Sequence, residues 1–398
     1  MQATDAKLQL LLLLLLQVFV VSATLHPADY LALQSLRASL SDLPGSAFFL
    51  AWDFTADPCS FPGVLCSADR VVAISLGDPR ARSPGLTGRL PSSLFRLSAL
   101  AELSLVPGLV AGPIPAALPP GLRFLALAGN LLSGRLQPSL TVLRRLRTLD
   151  LSANRLSGPL PASLLRLPEL RTLILSGNRL SGSIPVGVSA PLLRLDLHAN
   201  VLTGFLPFLP YSLMYLSLAS NQLSGRVDRV LLRLSQLRFL DLSVNQFSGP
   251  LPGDLFAFAI STLQLQRNQF CGPVRPSGPL AVDGATIDLS YNRLTGAVPA
   301  ELAPAGRLYL DFNRFTGRVP VVLVDRLVAG QMRLLYLQHN FLTGFDIGAA
   351  VPAGTSLCLE YNCVAPPPSS RSCARDAVPP RMRPPEQCAA IRKKKKSN

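Results

Sequence analysis

Three histidines and seven cysteines are the residues of this 398-residue chain best suited to metal binding or nucleophilic attack. Their spacing supports neither. No tight Cys-x-x-Cys pair occurs, so a tetrahedral zinc site has no starting point. His198 and His339 fall six units apart in the chain's internal repeat. That is roughly 29 Å at about 4.8 Å per strand, too far to share a metal or one proton relay. No G-x-S-x-G elbow, H-R-D, D-F-G or Gly-rich phosphate loop is present. The expectation is a protein without catalytic residues, cofactor or metal.

The cysteines point to disulfides in an oxidising compartment. Cys59 and Cys66 lie close enough together to be assigned as a pair, and Cys271 is left as the odd thiol. Cys358, Cys363, Cys373 and Cys388 allow three connectivities, and sequence cannot choose among them. The N-terminus agrees with that compartment. Lys7 precedes an apolar run from Leu8 to Val21, and Val21-Ser22-Ala23 offers a signal-peptidase cut, so residues 1–23 read as a secretory signal. No later stretch is long and apolar enough to span a bilayer. Net charge is +15, and losing residues 1–23 removes Asp5 and Lys7, which cancel. A basic extracellular protein associates with polyanions through its summed field, acidic wall polysaccharide being one, while nucleic acid is not an expected partner. No Asn-x-Ser/Thr glycosylation acceptor occurs.

The elements that would position any functional residue come from a repeat. Leu146 to Gly158 reads LRTLDLSANRLSG, Leu170 to Gly182 reads LRTLILSGNRLSG, and Leu237 to Gly249 reads LRFLDLSVNQFSG. The template L-x-x-L-x-L-x-x-N-x-L-x-G recurs about every 21 to 27 residues. Its Asn appears at Asn130, Asn154, Asn178, Asn200, Asn221, Asn245, Asn268, Asn292, Asn313 and Asn340, with Gly108 and Pro84 in that place in two degenerate early units. About twelve units result. The L-x-L segment is a short strand with one buried side. A single unit cannot bury that side alone, so neighbours must stack. The inward Asn must satisfy its amide on backbone groups, which makes it structural rather than ligand-binding. In the L-x-G-x-[ILV]-P segment that follows, Gly permits a positive-φ turn and Pro suits an edge or helix start. Ala162 to Leu167 reads as a short convex helix or 3₁₀ turn.

These motifs resemble the plant-specific class of extracellular leucine-rich-repeat proteins, in the secreted subfamily of receptor-like proteins without a kinase domain. The N-terminal block strengthens the resemblance: Asp29-Tyr30-Leu31-Ala32-Leu33 opens a helix, Trp52 follows, and Asp57-Pro58-Cys59 leads through Pro62-Gly63-Val64 to Cys66. Phe61 stands where such caps usually carry a second Trp. The resemblance implies an α/β solenoid, a right-handed superhelix with a parallel concave β-sheet, a helical N-terminal cap and a Cys-containing C-terminal cap. Its divisions would be a signal peptide over 1–23, a cap over 24–73, the repeats over 74–350, a Cys/Pro-rich cap over 351–388 and a disordered basic tail over 389–398.

On each concave strand the residues six, four and two before the Asn are expected to face solvent. From the fifth ladder Asn back to the last, this stripe carries Tyr215, Phe239, Asp241, Gln264, Gln266, Asp288, Arg307, Tyr309, Asp311, Tyr336 and Gln338, preceded by Arg194, Asp196 and His198. Tyr291, Phe312 and His339 lie just before the Asn, on the rim. Recognition surfaces are enriched in Tyr, Phe and Arg, so the stripe is the expected site for a protein or peptide ligand, a receptor-kinase ectodomain among the candidates. The alternative role is inhibition of a wall hydrolase, as polygalacturonase-inhibiting proteins perform, with retention on acidic polysaccharide by the basic surface and the Arg392–Lys396 run. Either role places the protein outside the cell, in the apoplast or wall or peripheral at the plasma membrane.

Overall fold

The computed structural model describes residues 25–77, 85–347, 351–364 and 382–394. The signal peptide, Pro84 and Cys373 lie outside the described residues. The chain divides into two compact units, residues 1–132 with 142–146 and residues 133–141 with 147–398.

The first unit holds the N-terminal cap. Helix α1 (Pro27–Ser39) starts with Pro at its first position and is capped by the His26 ring, which accepts from the Ala28 N–H at 3.2 Å. Its apolar side buries Ala32, Leu33 and Leu36, and its Asp29 is fully buried. That carboxylate accepts from Arg70 Nη2 at 2.7 Å, Arg70 Nε at 3.1 Å and the Val71 N–H at 2.9 Å. The bond from Asp29 pushes the Arg70 guanidinium pKa up. Trp52 packs 5.3 Å from Phe61, centroid to centroid, and donates its indole N–H to the Pro62 carbonyl at 3.1 Å. Phe61 is thus a buried core residue in the place of the usual Trp, and the Cys59–Cys66 disulfide closes the loop around it.

Two parallel sheets build the second unit. The L-x-L segments form ten strands among the described residues, from Thr148–Asp150 to Ser356–Cys358, each paired in register with the next. The L-x-G segments form a second parallel sheet, from Arg155–Pro159 to Phe341–Gly344. Sequence reasoning saw only a glycine turn there. The glycine does take positive φ, +79° at Gly158, yet its neighbours still pair with the adjoining coil. Between the sheets lie the leucines. Leu149, Leu151 and Leu156 have no exposed surface, and the same holds in coil after coil. Each contributes about 1.5–3 kcal/mol by burial. Of the segments that close the coils in the second unit, four are single 3₁₀ turns, such as Leu164–Arg166, two are short α-helices, and the others carry no helix among the described residues.

The Asn side chains tie coil to coil. Asn178 accepts the Leu156 N–H of the previous coil at 2.9 Å. Its amide donates to Leu151 O of that coil at 2.9 Å and to Leu175 O of its own at 3.0 Å. The pattern repeats to Asn340 and adds Asn362, which accepts from Leu342 N at 3.0 Å and donates to Leu337 O at 2.9 Å. Asn362 follows an intact Leu357-x-Leu359 segment, but it lies among the C-terminal cysteines and lacks the L-x-G that follows the other ladder residues, so the sequence-based ladder left it out.

At the C-terminal end Cys363 pairs with Cys388 and Cys358 is also disulfide-bonded, while Cys271 is a free, exposed thiol. A helix spans Pro385–Lys394 and runs past Cys388, where disorder was expected from 389 onward. Pro at the first helical position, Glu386 in the first turn and the Gln387-Cys388-Ala389 run favour it, and the disulfide anchors it. The ladder itself is open to a direct test. Asn178→Ala strands the Leu156 N–H and removes one of the two amide donors on each of Leu151 O and Leu175 O, which keep Asn154 and Asn200, so guanidinium unfolding should show a loss of about 2 kcal/mol. A loss below about 1 kcal/mol would make the ladder dispensable.

Candidate partner-binding face

The L-x-L strands of the second unit carry the expected stripe residues six and four before each Asn, while His198, Gln266, Asp311 and Gln338, two before it, fall on the turns just past the strands. Their register aligns Arg194, Tyr215, Phe239 and, further on, Arg307 in one row, and Asp196, Asp241, Gln264, Asp288, Tyr309 and Tyr336 in the next. Aromatic groups concentrate at two places. At the first, the Arg194 guanidinium lies 4.0 Å over the Tyr215 ring, and Tyr215 stacks on Phe239 at 4.3 Å with the planes 4° apart. At the second, Tyr309 meets Tyr336 edge-on at 5.5 Å beside the exposed Arg307. Burial raises the pKa of the Tyr215 and Tyr309 phenols, so both remain neutral donors. Three polar atoms on this face are buried without a hydrogen-bond partner: Arg194 Nε, Gln266 Oε1 and Gln338 Oε1. An incoming donor or acceptor would relieve them.

Two expected contact residues do not reach solvent. Asp196 is 3% exposed. Its carboxylate lies under Arg194 Nη2 at 3.2 Å and His198 Nδ1 at 2.7 Å, so it positions those two side chains rather than meeting a partner. Asp311 is 6% exposed, and Ser176, Ser243 and Ser290 in the same column are also buried. Each strand is only three residues long. The residue two before the Asn therefore falls on the turn beyond the strand, where its side chain folds back. The aspartates of the middle strands explain this. Asp288 accepts from the Ser290 N–H at 2.9 Å and hydroxyl at 2.7 Å, and Asp241 from the Ser243 N–H at 2.9 Å. Asp150 binds Ser152 in the same way. L-D-L-S is a local lock on the strand exit. Burial raises the Asp288 pKa against the pull of Ser290.

The rim residues form a feature the sequence reading assembled only in part. The position before each ladder Asn has φ between 52° and 57° in every coil from Ala199 to Tyr361 that carries a non-glycine residue there. This left-handed conformation costs a non-glycine residue about 1 kcal/mol and aims successive side chains along one edge. Tyr291 stacks on Phe312 at 4.2 Å, Phe312 on His339 at 4.0 Å, and His339 on Tyr361 at 4.8 Å. Arg267 closes one end over Tyr291 at 4.6 Å, and Arg383 the other over Tyr361 at 4.8 Å. Arg267 and Tyr361 share the pre-Asn position and could have been found by it. Arg383 is 21 residues past Asn362 and carries no repeat signal.

Family comparison agrees with the coil architecture. A leucine-rich-repeat N-terminal domain matches residues 26–67, and leucine-rich repeats match 120–180 and 236–258.

The chain is a leucine-rich-repeat protein.

Its relatives are plant receptor-like proteins. Receptor-like protein EIX2 of Solanum lycopersicum is 35% identical over 102 residues, 25% of this chain and 10% of that protein. Among solved structures, a TDR receptor aligns with TM-score 0.60 at 31% identity, covering 70% of this chain and 50% of that one. The ectodomain of the Arabidopsis thaliana membrane receptor kinase GASSHO1/SCHENGEN3, in complex with CASPARIAN STRIP INTEGRITY FACTOR 2, aligns with TM-score 0.56 at 26% identity over 84% of this chain and 47% of that one. The leucine-rich-repeat chain thus spans about half the length of these ectodomains, and its match covers a tenth of EIX2. Among the described residues no helix is long and apolar enough to cross a membrane, and no group of His, Cys, Asp or Glu is placed to hold a metal ion.

The rim of this leucine-rich-repeat protein should carry a pH signature. Burial, with the nearby Arg383 charge, lowers the His339 pKa below its ordinary value. Between that lowered value and about 6.5 the unfolded chain binds the proton and the folded chain does not. Stability is therefore complete above about pH 6.5 and falls as the pH drops through that window. His339→Phe, which keeps the stack, should flatten the decline in unfolding temperature between pH 7.5 and 5. Parallel profiles for the two proteins would show that His339 is not the titrating group.

Proposed function

We propose that this leucine-rich-repeat protein is an extracellular recognition module of the receptor-like type. It binds a peptide or protein partner on the outward face of the L-x-L sheet between Arg194 and Gln338 and catalyses no reaction. The observation that carries this reading is the pairing of two half-buried aromatic groups, each with part of its ring surface open, on one rigid sheet. Tyr215 with Phe239 and Tyr309 with Tyr336 lie five strands apart at their outer members, roughly 24 Å at about 4.8 Å per strand. An extended peptide of about seven residues covers that length at roughly 3.3 Å per residue. Aromatic and Arg anchors held by neighbouring packing lose little entropy on binding, which is the signature of interface hot spots. The unpaired polar atoms of Arg194, Gln266 and Gln338 supply hydrogen-bond capacity between the anchors. The disulfides suit an oxidising extracellular setting, and the solved relatives include a receptor ectodomain crystallised with its factor.

The test uses affinity capture from plant extracellular fluid followed by cross-linking. Contacts should map between residues 194 and 338. Replacing Tyr215, Tyr309 and Tyr336 together by Ser should weaken the captured partner's binding more than 100-fold, from about 2 kcal/mol per hot spot. Undiminished affinity, or cross-links confined to the L-x-G sheet, would remove the proposal. The unfolding temperature serves as the folding control.

A further inference from the structure

The L-x-G sheet of the second unit has a charge distribution unlike its counterpart. Among the described residues its strands carry Arg135, Arg155, Arg179, Arg226, Arg293, Arg314 and Arg318 and no Asp or Glu. The L-x-L strands of the same unit carry four Asp and two Arg. The net charge of +15 is therefore not spread evenly over the molecule. Two of the seven arginines are neutralised nearby, Arg226 by Asp228 and Arg318 by Asp346.

Arg135, Arg155 and Arg179 are different. They sit on three successive strands, all are exposed, and none has an ion pair among the described residues. Ser157 lies between Arg135 and Arg179 as the direct cross-strand partner of both, so the two arginines are about 10 Å apart, twice the strand spacing. Arg155 stands opposite Ser133 on the same side. Hydroxyls thus alternate with guanidinium groups: Ser133, Ser157, Ser181 and Ser183, then Thr203 on the next strand. That strand ends in Phe205, which is 71% exposed. Its ring lies across Gly225, where an added Cβ would come within 2.3 Å of the ring. The missing side chain lets an aromatic ring rest against the sheet with most of its surface open to solvent.

We propose that this face binds a linear polymer of carboxylated sugars, with Arg135, Arg155 and Arg179 on the carboxylates, the Ser and Thr column on the hydroxyls and Phe205 against a sugar ring. Guanidinium is the side chain whose planar fork matches a carboxylate with two parallel hydrogen bonds. Arg135 and Arg179 are level across the strands and Arg155, on the strand between them, is offset by two residues along it, so the three charges form a staggered band that runs across strands, which an extended polyanion can follow. A membrane surface has no use for the alternating hydroxyls and would favour an apolar residue projecting from the sheet over a ring laid on it. The face is separate from the L-x-L sheet, so it leaves the peptide site free, and its failure would leave the recognition reading intact.

Binding to sodium polygalacturonate, measured against salt, tests this. Each neutralised polyanion charge contributes a slope of about 0.7–0.9 in log affinity against log salt. The variant Arg135→Gln, Arg155→Gln, Arg179→Gln should bind at least tenfold more weakly at low salt, with the slope reduced by about 2–3. A variant with the same charge loss on other surfaces, Arg171→Gln, Arg238→Gln, Arg333→Gln, should keep the slope and stay within threefold of the parent. Phe205→Ala should weaken binding severalfold without changing the slope. Equal losses in the two arginine variants would show that net charge alone is at work and overturn the proposal. So would undiminished binding by the first variant, or binding to phosphatidylserine vesicles as tight as to the polymer. Partner capture by the L-x-L face should be unchanged in all of these variants.

Discussion

From Asn130 to Asn362, ladder amides at the coil junctions tie one coil to the next. Three-residue strands offer too few hydrogen bonds of their own to fix one coil against the next. The ladder Asn closes that gap by reaching both directions, accepting from the coil before it and donating to two carbonyls. No other side chain combines one acceptor and two donors in so short a reach. Leucine burial supplies most of the stabilisation, but leucines tolerate slippage. The amide geometry does not, and it therefore sets the register from which every surface position follows.

The register has a consequence at the rim. The chain must reverse just before each Asn, and it does so through a left-handed residue even where glycine is absent. Early coils put Gly129, Ala153 and Gly177 there, and late coils put Arg267, Tyr291, Phe312, His339 and Tyr361. Glycine takes this conformation without strain and the other residues bear a similar cost, but only the late side chains are large enough to stack on the next coil. Their stacking offsets part of the backbone cost, and Arg383 ties the line to the C-terminal cap by donating to Asn340 O at 2.9 Å.

Two faces of the second unit then divide the chemistry. On the L-x-L face, aspartates are consumed in locking strand exits and leave aromatic and Arg groups as the outward anchors. On the L-x-G face, arginines stand among small hydroxyl residues without acidic neighbours on the strands. The two sheets therefore present different chemistry to solvent, aromatic rings with Arg on one and Arg with hydroxyls on the other.

The sequence by itself determined the coil, its pitch and most of its ladder, because one short motif repeats and its buried leucines and Asn admit a single periodic solution. It also determined which side chains share the L-x-L face, and the Cys59–Cys66 bond. Tertiary structure alone decided the rest. Asp196 is hidden because Arg194 and His198 fold over it, and Asp311 lies past the end of a three-residue strand, where alternation along the strand no longer applies. The second sheet depends on pairing between coils, which a glycine in the motif neither demands nor forbids. The helix through Cys388 is held by the disulfide that draws residue 363 to residue 388, and that closure brings Arg383, from a distant segment, onto the rim of the last coil.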